Sequence, residues 1–140
     1  YDLKRGELIE RCARERGLAV KVAEHYHNSF VTMAGFYPSV DCVIIASTEE
    51  GAGLPALEAG AAGRLVVSTP VGHWPELVDD RGGITVPIEE AAFVARVLKI
   101  LEKYQNDPAA FAKKCQAAQK HAASYDWAHV ADDWAAILSS

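Results

Sequence analysis

The sequence predicts one α/β domain of three layers, a parallel β-sheet with helices on both faces. Three observations lead there. DCVIIAS (41–47) and RLVVSTP (64–70) are nearly unbroken apolar runs of β-branched character, the composition of strands covered on both faces rather than one. Stretches of helical periodicity alternate with these runs, and that alternation implies parallel pairing through right-handed crossovers. The chain has 140 residues, 50% of them hydrophobic, which suffices for a single core and argues against disorder. Residues 1–140 are therefore read as one unit, without internal repeats, low-complexity tracts or a linker.

Each element has its own local reason. Leu3, Leu8, Ile9, Cys12 and Ala13 form a helical stripe between Leu3 and Arg16, and Gly17 stands where a C-terminal cap belongs. LAVKVA (18–23) reads as a short strand. Asn28 or Ser29 can cap a short helix through NSFVTMAGFYPSV that ends before Pro38. The runs at 41–47 and 64–70 read as central parallel strands. Between them Pro55 suits the first position of a helix whose body is ALEAGAA and whose stop is Gly63. GGITVP (82–87) is one more short strand, bounded by Gly and Pro. Glu89–Lys103 and Pro108–Ser124 read as two amphipathic helices. A terminal helix spans about 126–138, with Asp126 as its N-cap.

Several function classes are disfavoured at once. A formal net charge of -5 and the lack of a dense Lys/Arg run argue against a nucleic-acid partner. Cys12, Cys42 and Cys115 are widely spaced and form no CxxC pattern, which suits a reducing, cytoplasmic setting better than a disulfide framework or a cysteine zinc site. No apolar run approaches the length of a membrane span. His25, His27 and His73 do not form a known metal-ligand pattern, so no metal is expected; His25 retains a minor reading as a nucleobase contact.

In open parallel sheets ligands bind at the carboxyl ends of the strands, and STEEGAGLPALEAG (47–60) leaves one such end and enters a helix. Gly51 and Gly53 allow close backbone approach, and the helix starting near Leu54 or Pro55 presents unpaired N–H groups that attract an anion. Two carboxylates, Glu50 and Glu58, flank this anion site. A phosphate gains about 0.3–1 kcal/mol from an exposed helix N-terminus, an amount that two nearby acids could cancel. The conflict disappears where each acid faces hydroxyls, because an ionised Glu only accepts hydrogen bonds and a vicinal diol donates two. The ligand so described is a nucleotide that carries a second polyhydroxyl group. Solvated surface charge is the competing reading of these acids, and ordinary turn chemistry that of the glycines.

At this point a family resemblance enters. STEEGAGLPALEAGAAGRLVVSTPVGHWPELV resembles the donor-site signature of retaining glycosyltransferases of the GT-B fold, specifically family four (glycosyl transferases group 1), which includes sucrose, glycogen and lipopolysaccharide-type synthases. That signature has two glutamates separated by seven residues within EGFGLPxLEAMAxGxPVV. Glu50 and Glu58 match the spacing; Gly51, Gly53, Leu54, Pro55, Leu57, Ala59 and Gly63 match the frame. A looser likeness runs from Leu18 to Leu138.

The resemblance implies a Rossmann-like carboxyl-terminal GT-B half that lacks its first strands. It also implies a hexosyltransferase-type enzyme that moves a sugar from a nucleoside-diphosphate donor with retention of anomeric configuration and without a cofactor or metal. Glu50 is then the catalytic residue at the donor sugar; Gly51, Ala52, Gly53 and Leu54 face sugar and phosphate; Glu58 holds the ribose. An upstream Arg and Lys would grip the pyrophosphate, and an amino-terminal domain would bind the acceptor. The isolated chain is then expected to be inactive, and any peripheral membrane association would run through the longer protein.

Two positions depart from the signature: Ala52 stands where an aromatic is common, and GHWPE places His73 where the family has a second glycine. The alternative is a non-catalytic nucleotide-binding or protein-interaction module of the same fold. Trp127 and Trp134, seven apart on one helical face, read as a core or domain-packing stripe, and Trp74 as a cover beside the pocket. Arg64 begins a strand at the end opposite the site, and Arg81 lies in the turn DDRGG, where ordinary solvation is the main reading and phosphate contact a minor one.

Overall fold

The computed structural model describes residues 3–23 and 30–139, and three short strands form its parallel sheet: β1 (Cys42–Ile45), β2 (Leu65–Ser68) and β3 (Ile84–Thr85), in that spatial order. Val43 pairs with Val66, and Val67 with Ile84. Successive side chains on a strand point to opposite faces. Leu65 and Val67 accordingly join one apolar cluster with Ile9, Phe93 and Val97, whereas Val66 joins another with Tyr37, Ala59 and Trp74. Cys42 and Ile44 side with the first cluster, Val43 and Ile45 with the second. The unbroken apolar runs are thus two alternating patterns superimposed, each meeting its own helical layer, and the three-layer α/β architecture follows.

The expectation that both runs are central strands holds for β2, which is buried throughout. It does not hold for β1, which is half-buried because it has a partner on only one side among the described residues. The strand expected at 18–23 is also absent. A strand exists only through a hydrogen-bonded neighbour, and the Val20 carbonyl instead accepts from Arg14 Nη2 at 3.2 Å, while Val22 is exposed.

The helices are α1 (Leu3–Arg14), α2 (Phe30–Phe36), α3 (Leu54–Ala61), α4 (Asp79–Gly82), α5 (Glu90–Asn106), α6 (Pro108–Ala122) and α7 (Trp127–Leu138). α2 continues into a 3-10 turn, Tyr37–Ser39, one turn past its expected stop. Pro38 sits at the start of that turn, where its missing N–H costs nothing. Asn28 and Ser29, the expected caps of α2, lie outside the described residues, as do His25 and His27. The small residues of α3 have a packing reason: a Cβ on Gly60 would stand 3.4 Å from the Ala118 carbonyl oxygen and from Ala122 Cβ of α6. Glu89, Asp107 and Asp126 cap α5, α6 and α7 through their carboxylates.

Two features run against the simple core pattern. Arg5 of α1 is 1% exposed, with its guanidinium 4.3 Å from the centre of the Phe93 ring and its Nε and Nη2 without hydrogen-bond partners among the described residues. α7 has no buried residue; Trp127 is 83% and Trp134 58% exposed, so this pair is not part of the core.

Candidate active site

Because the strands are parallel, the chain leaves β1 and β2 on the same edge of the sheet, and both exits contribute to the site. The first exit runs from Ile45 to the start of α3 at Leu54. The second runs through Thr69 to His73. Thr69 Oγ1 donates to the Ser47 carbonyl at 2.6 Å and ties the two together. Gly72 makes the closest approach. It has φ 58°, and a Cβ there would come within 2.9 Å of the Gly51 carbonyl oxygen and 3.0 Å of Glu50 Cβ. The loop after β2 is therefore a backing plate for the turn after β1.

Within the turn, Gly53 takes the left-handed conformation (φ 66°, ψ 32°) that brings the chain into α3. It supplies no capping side chain. Pro55 has no N–H, and the Ala56 N–H donates to the Gly53 carbonyl at 3.1 Å. The amides of Gly51, Ala52, Gly53 and Leu54 have no acceptor among the described residues, so four consecutive donors stand at the mouth of a helix. Gly51 has no left-handed angle and a Cβ there would meet nothing within 4 Å; its role is to leave the turn open.

The two acids are each held by one neutral hydroxyl. Ser47 Oγ donates to Glu50 Oε1 at 2.6 Å, and Tyr37 Oη donates to Glu58 Oε2 at 2.6 Å. Both glutamates are half-buried. Glu50 Oε2 and Glu58 Oε1 carry no protein partner among the described residues. Burial pushes the Tyr37 phenol well above its usual range, with the hydrogen bond to Glu58 and its charge adding to the effect, so Tyr37 remains a donor at neutral pH. Glu58 is the fifth residue of α3, about one turn beyond the last of the four amides.

The family model described as "Glycosyl transferases group 1" matches residues 4–103. The chain belongs to that family. The D-inositol 3-phosphate glycosyltransferase of an Arthrobacter species is 36% identical over 116 residues, covering 82% of this chain and 27% of that protein. The enzyme of the same name from Mycolicibacterium smegmatis is 30% identical over 140 residues, covering 99% of this chain and 30% of its own length. The chain thus spans about three-tenths of the curated relatives it matches. The carboxyl-terminal domain of the Francisella tularensis group 1 glycosyl transferase LpcC superposes with a TM-score of 0.62 at 27% identity, over 89% of this chain and 63% of that one. Anabaena HepE in complex with UDP superposes with a TM-score of 0.71 at 22% identity, over 99% of this chain and 36% of that one, a likeness of fold. The fold of this group 1 family chain is that of a GT-B carboxyl-terminal domain.

All six expected site residues lie in the loop after β1 or in α3, and the structure adds a supporting set: Tyr37, Ser47, Thr69 and Gly72. Gly72 follows a strand end just as Gly51 does, and that shared position was the available signal. Tyr37 and Ser47 gave none, because a Tyr before Pro38 and a Ser at a strand end are ordinary. Trp74 is 3% exposed and donates from Nε1 to Thr85 Oγ1 at 3.0 Å, so it is a core residue and not a cover. His73 is exposed. Arg64 donates to the Ala62 and Val40 carbonyls at the far edge of the sheet, and Arg81 is an exposed residue of α4.

Other chemistry is poorly served. Burial pushes the Cys42 thiol up to about 12, with Cys115 and Asp41 adding to the shift, which keeps it from acting as a thiolate. Among the described residues no group of three His, Cys, Asp or Glu could hold a metal ion, and no helix is long and apolar enough to cross a membrane. A cleft of about 600 Å³ between α1 and α5, lined by Leu8, Val94, Leu98 and Glu102 among others, contains none of the site residues.

Proposed function

We propose that this chain is the donor-binding part of a retaining glycosyltransferase that moves a hexosyl-type sugar from a nucleoside diphosphate to an acceptor held by a further domain. The single observation that carries this reading is the alternation of partners along 50–58: an acid with one oxygen unengaged, four unpaired amides, then a second acid with one oxygen unengaged. A nucleoside diphosphate sugar has the complementary order of sugar hydroxyls, phosphates and ribose diol.

In this reading Glu50 is the catalytic residue, accepting from donor-sugar hydroxyls at the reacting centre. The amides of Gly51, Ala52, Gly53 and Leu54 face sugar and phosphate. They stabilise the charge that develops on the diphosphate as the bond from the anomeric carbon to its oxygen breaks. The acceptor oxygen then bonds to that carbon on the same face, and its proton passes to the departing diphosphate oxygen. Glu58 accepts from the ribose. No metal or cofactor takes part.

The test is titration calorimetry of the chain with UDP, GDP and ADP in EDTA. At least one should bind weakly, because the site so described relies on backbone amides and two hydroxyl-held acids. Glu58→Ala should weaken that binding roughly ten- to hundred-fold, the worth of about 1.5–3 kcal/mol for a hydrogen bond to a charged group. Unchanged affinity in Glu58→Ala would overturn the assignment. The exposed apolar residues of α7, Trp127, Trp134, Ile137 and Leu138, fit a contact with the further domain.

A further inference from the structure

Glu58 has two oxygens in different circumstances, and the difference has a single source. Tyr37 lies in the 3-10 turn after α2, is 5% exposed, and packs in the apolar cluster with Ala56, Ala59 and Val66, its ring edge against Phe36 at 5.7 Å. A ring so enclosed cannot change rotamer without opening the core. Its phenol therefore presents the hydroxyl at a fixed point, and the 2.6 Å bond to Oε2 fixes the glutamate in turn. A glutamate on a helix otherwise samples several rotamers at modest energetic cost.

We infer that Tyr37 is a positioning residue for ribose recognition: it holds Glu58 by Oε2 so that Oε1 meets the hydroxyls of the nucleoside. This rests on the assignment of Glu58 to the ribose in the preceding subsection. The partner's chemistry matters. A Lys or Arg in the place of Tyr37 would also fix the carboxylate, but would offset the charge that makes it a strong acceptor. A phenol donates one proton and leaves the full negative charge to face the diol. Ser47 stands in the same relation to Glu50, again as a neutral hydroxyl at 2.6 Å, so both acids are held without being neutralised.

A purely structural role for Tyr37, anchoring α3 to the layer beneath it, would lower stability without distinguishing one nucleotide from another. The discriminating experiment titrates the chain, and its Tyr37→Phe variant, with UDP, GDP and ADP and with the 2′,3′-dideoxy form of each. Tyr37→Phe retains the ring and its packing. The unmodified chain should prefer the ribose form of the nucleotide it binds. In Tyr37→Phe that preference should shrink roughly three- to ten-fold while affinity for the dideoxy form stays within about two-fold, as expected for a lost hydrogen bond. Adding Tyr37→Phe to Glu58→Ala should change affinity no further, because the two residues act as one unit.

A preference retained in Tyr37→Phe would overturn the positioning role and leave the ribose assignment intact. Equal affinity of the unmodified chain for ribose and dideoxy forms would overturn that assignment and this inference with it. Equal weakening toward both forms in Tyr37→Phe would mean a structural role only, and would also overturn the inference.

Discussion

Replacing Gly72 with Ala perturbs the site without substituting any residue assigned to the ligand. The added methyl group meets two obstacles. Its backbone angle of 58° lies in the left-handed region, where a residue with a Cβ costs roughly 1–2 kcal/mol. The Cβ would also stand 2.9 Å from the Gly51 carbonyl oxygen, a backbone atom, and 3.0 Å from Glu50 Cβ, the root of a side chain and not its flexible end. Overpacking of that kind adds about 1–3 kcal/mol. The sum, about 2–5 kcal/mol, is a large share of the 5–15 kcal/mol typical of a whole domain. At roughly 2–4 °C per kcal/mol, the Tm should fall by at least about 4 °C.

Some of the strain can be relieved by moving the turn, which would displace Glu50 and the four amides. Nucleotide affinity should then fall together with stability. Circular dichroism melts and calorimetry read the two effects, and Gly51→Ala is the internal control, since a Cβ there meets nothing within 4 Å and its Tm should hardly change. A Gly72→Ala protein with unaltered Tm and affinity would refute the view that the second loop backs the turn.

Two further expectations follow from the same physics. Glu89 accepts from the amides of Ala92 and Ala91, and these bonds, with Arg5 adding a smaller attraction, hold its carboxyl below the usual 4.5. A depressed folded value means that its contribution to stability is present above pH 4.5 and is lost as pH falls through the lowered value. NMR titration of Glu89 should give a midpoint under 4.5, and Glu89→Gln should abolish the corresponding shift of the Ala91 and Ala92 amides; a midpoint at or above 4.5 would contradict the cap. Arg5→Met should raise the Tm. Two donor nitrogens without partners cost roughly 1–3 kcal/mol each, about 2–6 kcal/mol together, against a gain of about 2 kcal/mol from a desolvated contact with Phe93, so the balance favours removing the charge. A lower Tm in Arg5→Met would mean that the guanidinium has a stronger partner than the ring.

What could be read from the sequence divides along a physical line. Local signals were legible: Asp126 ahead of Trp127 announced a cap, and Gly53 before Leu-Pro announced a helix entry that the αL angle bears out. The two superimposed alternations in LVV and VII announced strands with a layer on each face. Signals that depend on a partner were not legible. LAVKVA has strand composition but no ladder, and whether a stripe such as Trp127 and Trp134 is buried depends on what lies across from it. Tyr37, Ser47, Thr69 and Gly72 belong to this second class. Tyr37, Thr69 and Gly72 meet groups more than twenty residues away that the crossover brings near, and of these only Gly72 carries a mark, its place after a strand end; Ser47 meets Glu50 three residues on, but a Ser at a strand end is ordinary. The exception is Glu50 and Glu58, legible because one short segment carries both acids and the amides between them.

The electrostatics of that segment set what it can select. At an effective dielectric constant near 20, two unit charges 4 Å apart interact by about 4 kcal/mol, and by about half that at twice the distance. A helix N-terminus returns about 2 kcal/mol at best. Two ionised glutamates beside four amides would therefore repel an isolated diphosphate rather than hold it. The balance changes when each acid has hydroxyls to accept from, since hydrogen bonds to a charged group contribute about 1.5–3 kcal/mol apiece. In the function proposed above, the acids work as a filter. They make the amide site unfavourable to a plain phosphate and favourable to a phosphate flanked by polyols. The filter requires both carboxylates to keep their charge and their aim, and a buried tyrosine and a strand-end serine, each donating one hydrogen bond, meet both requirements.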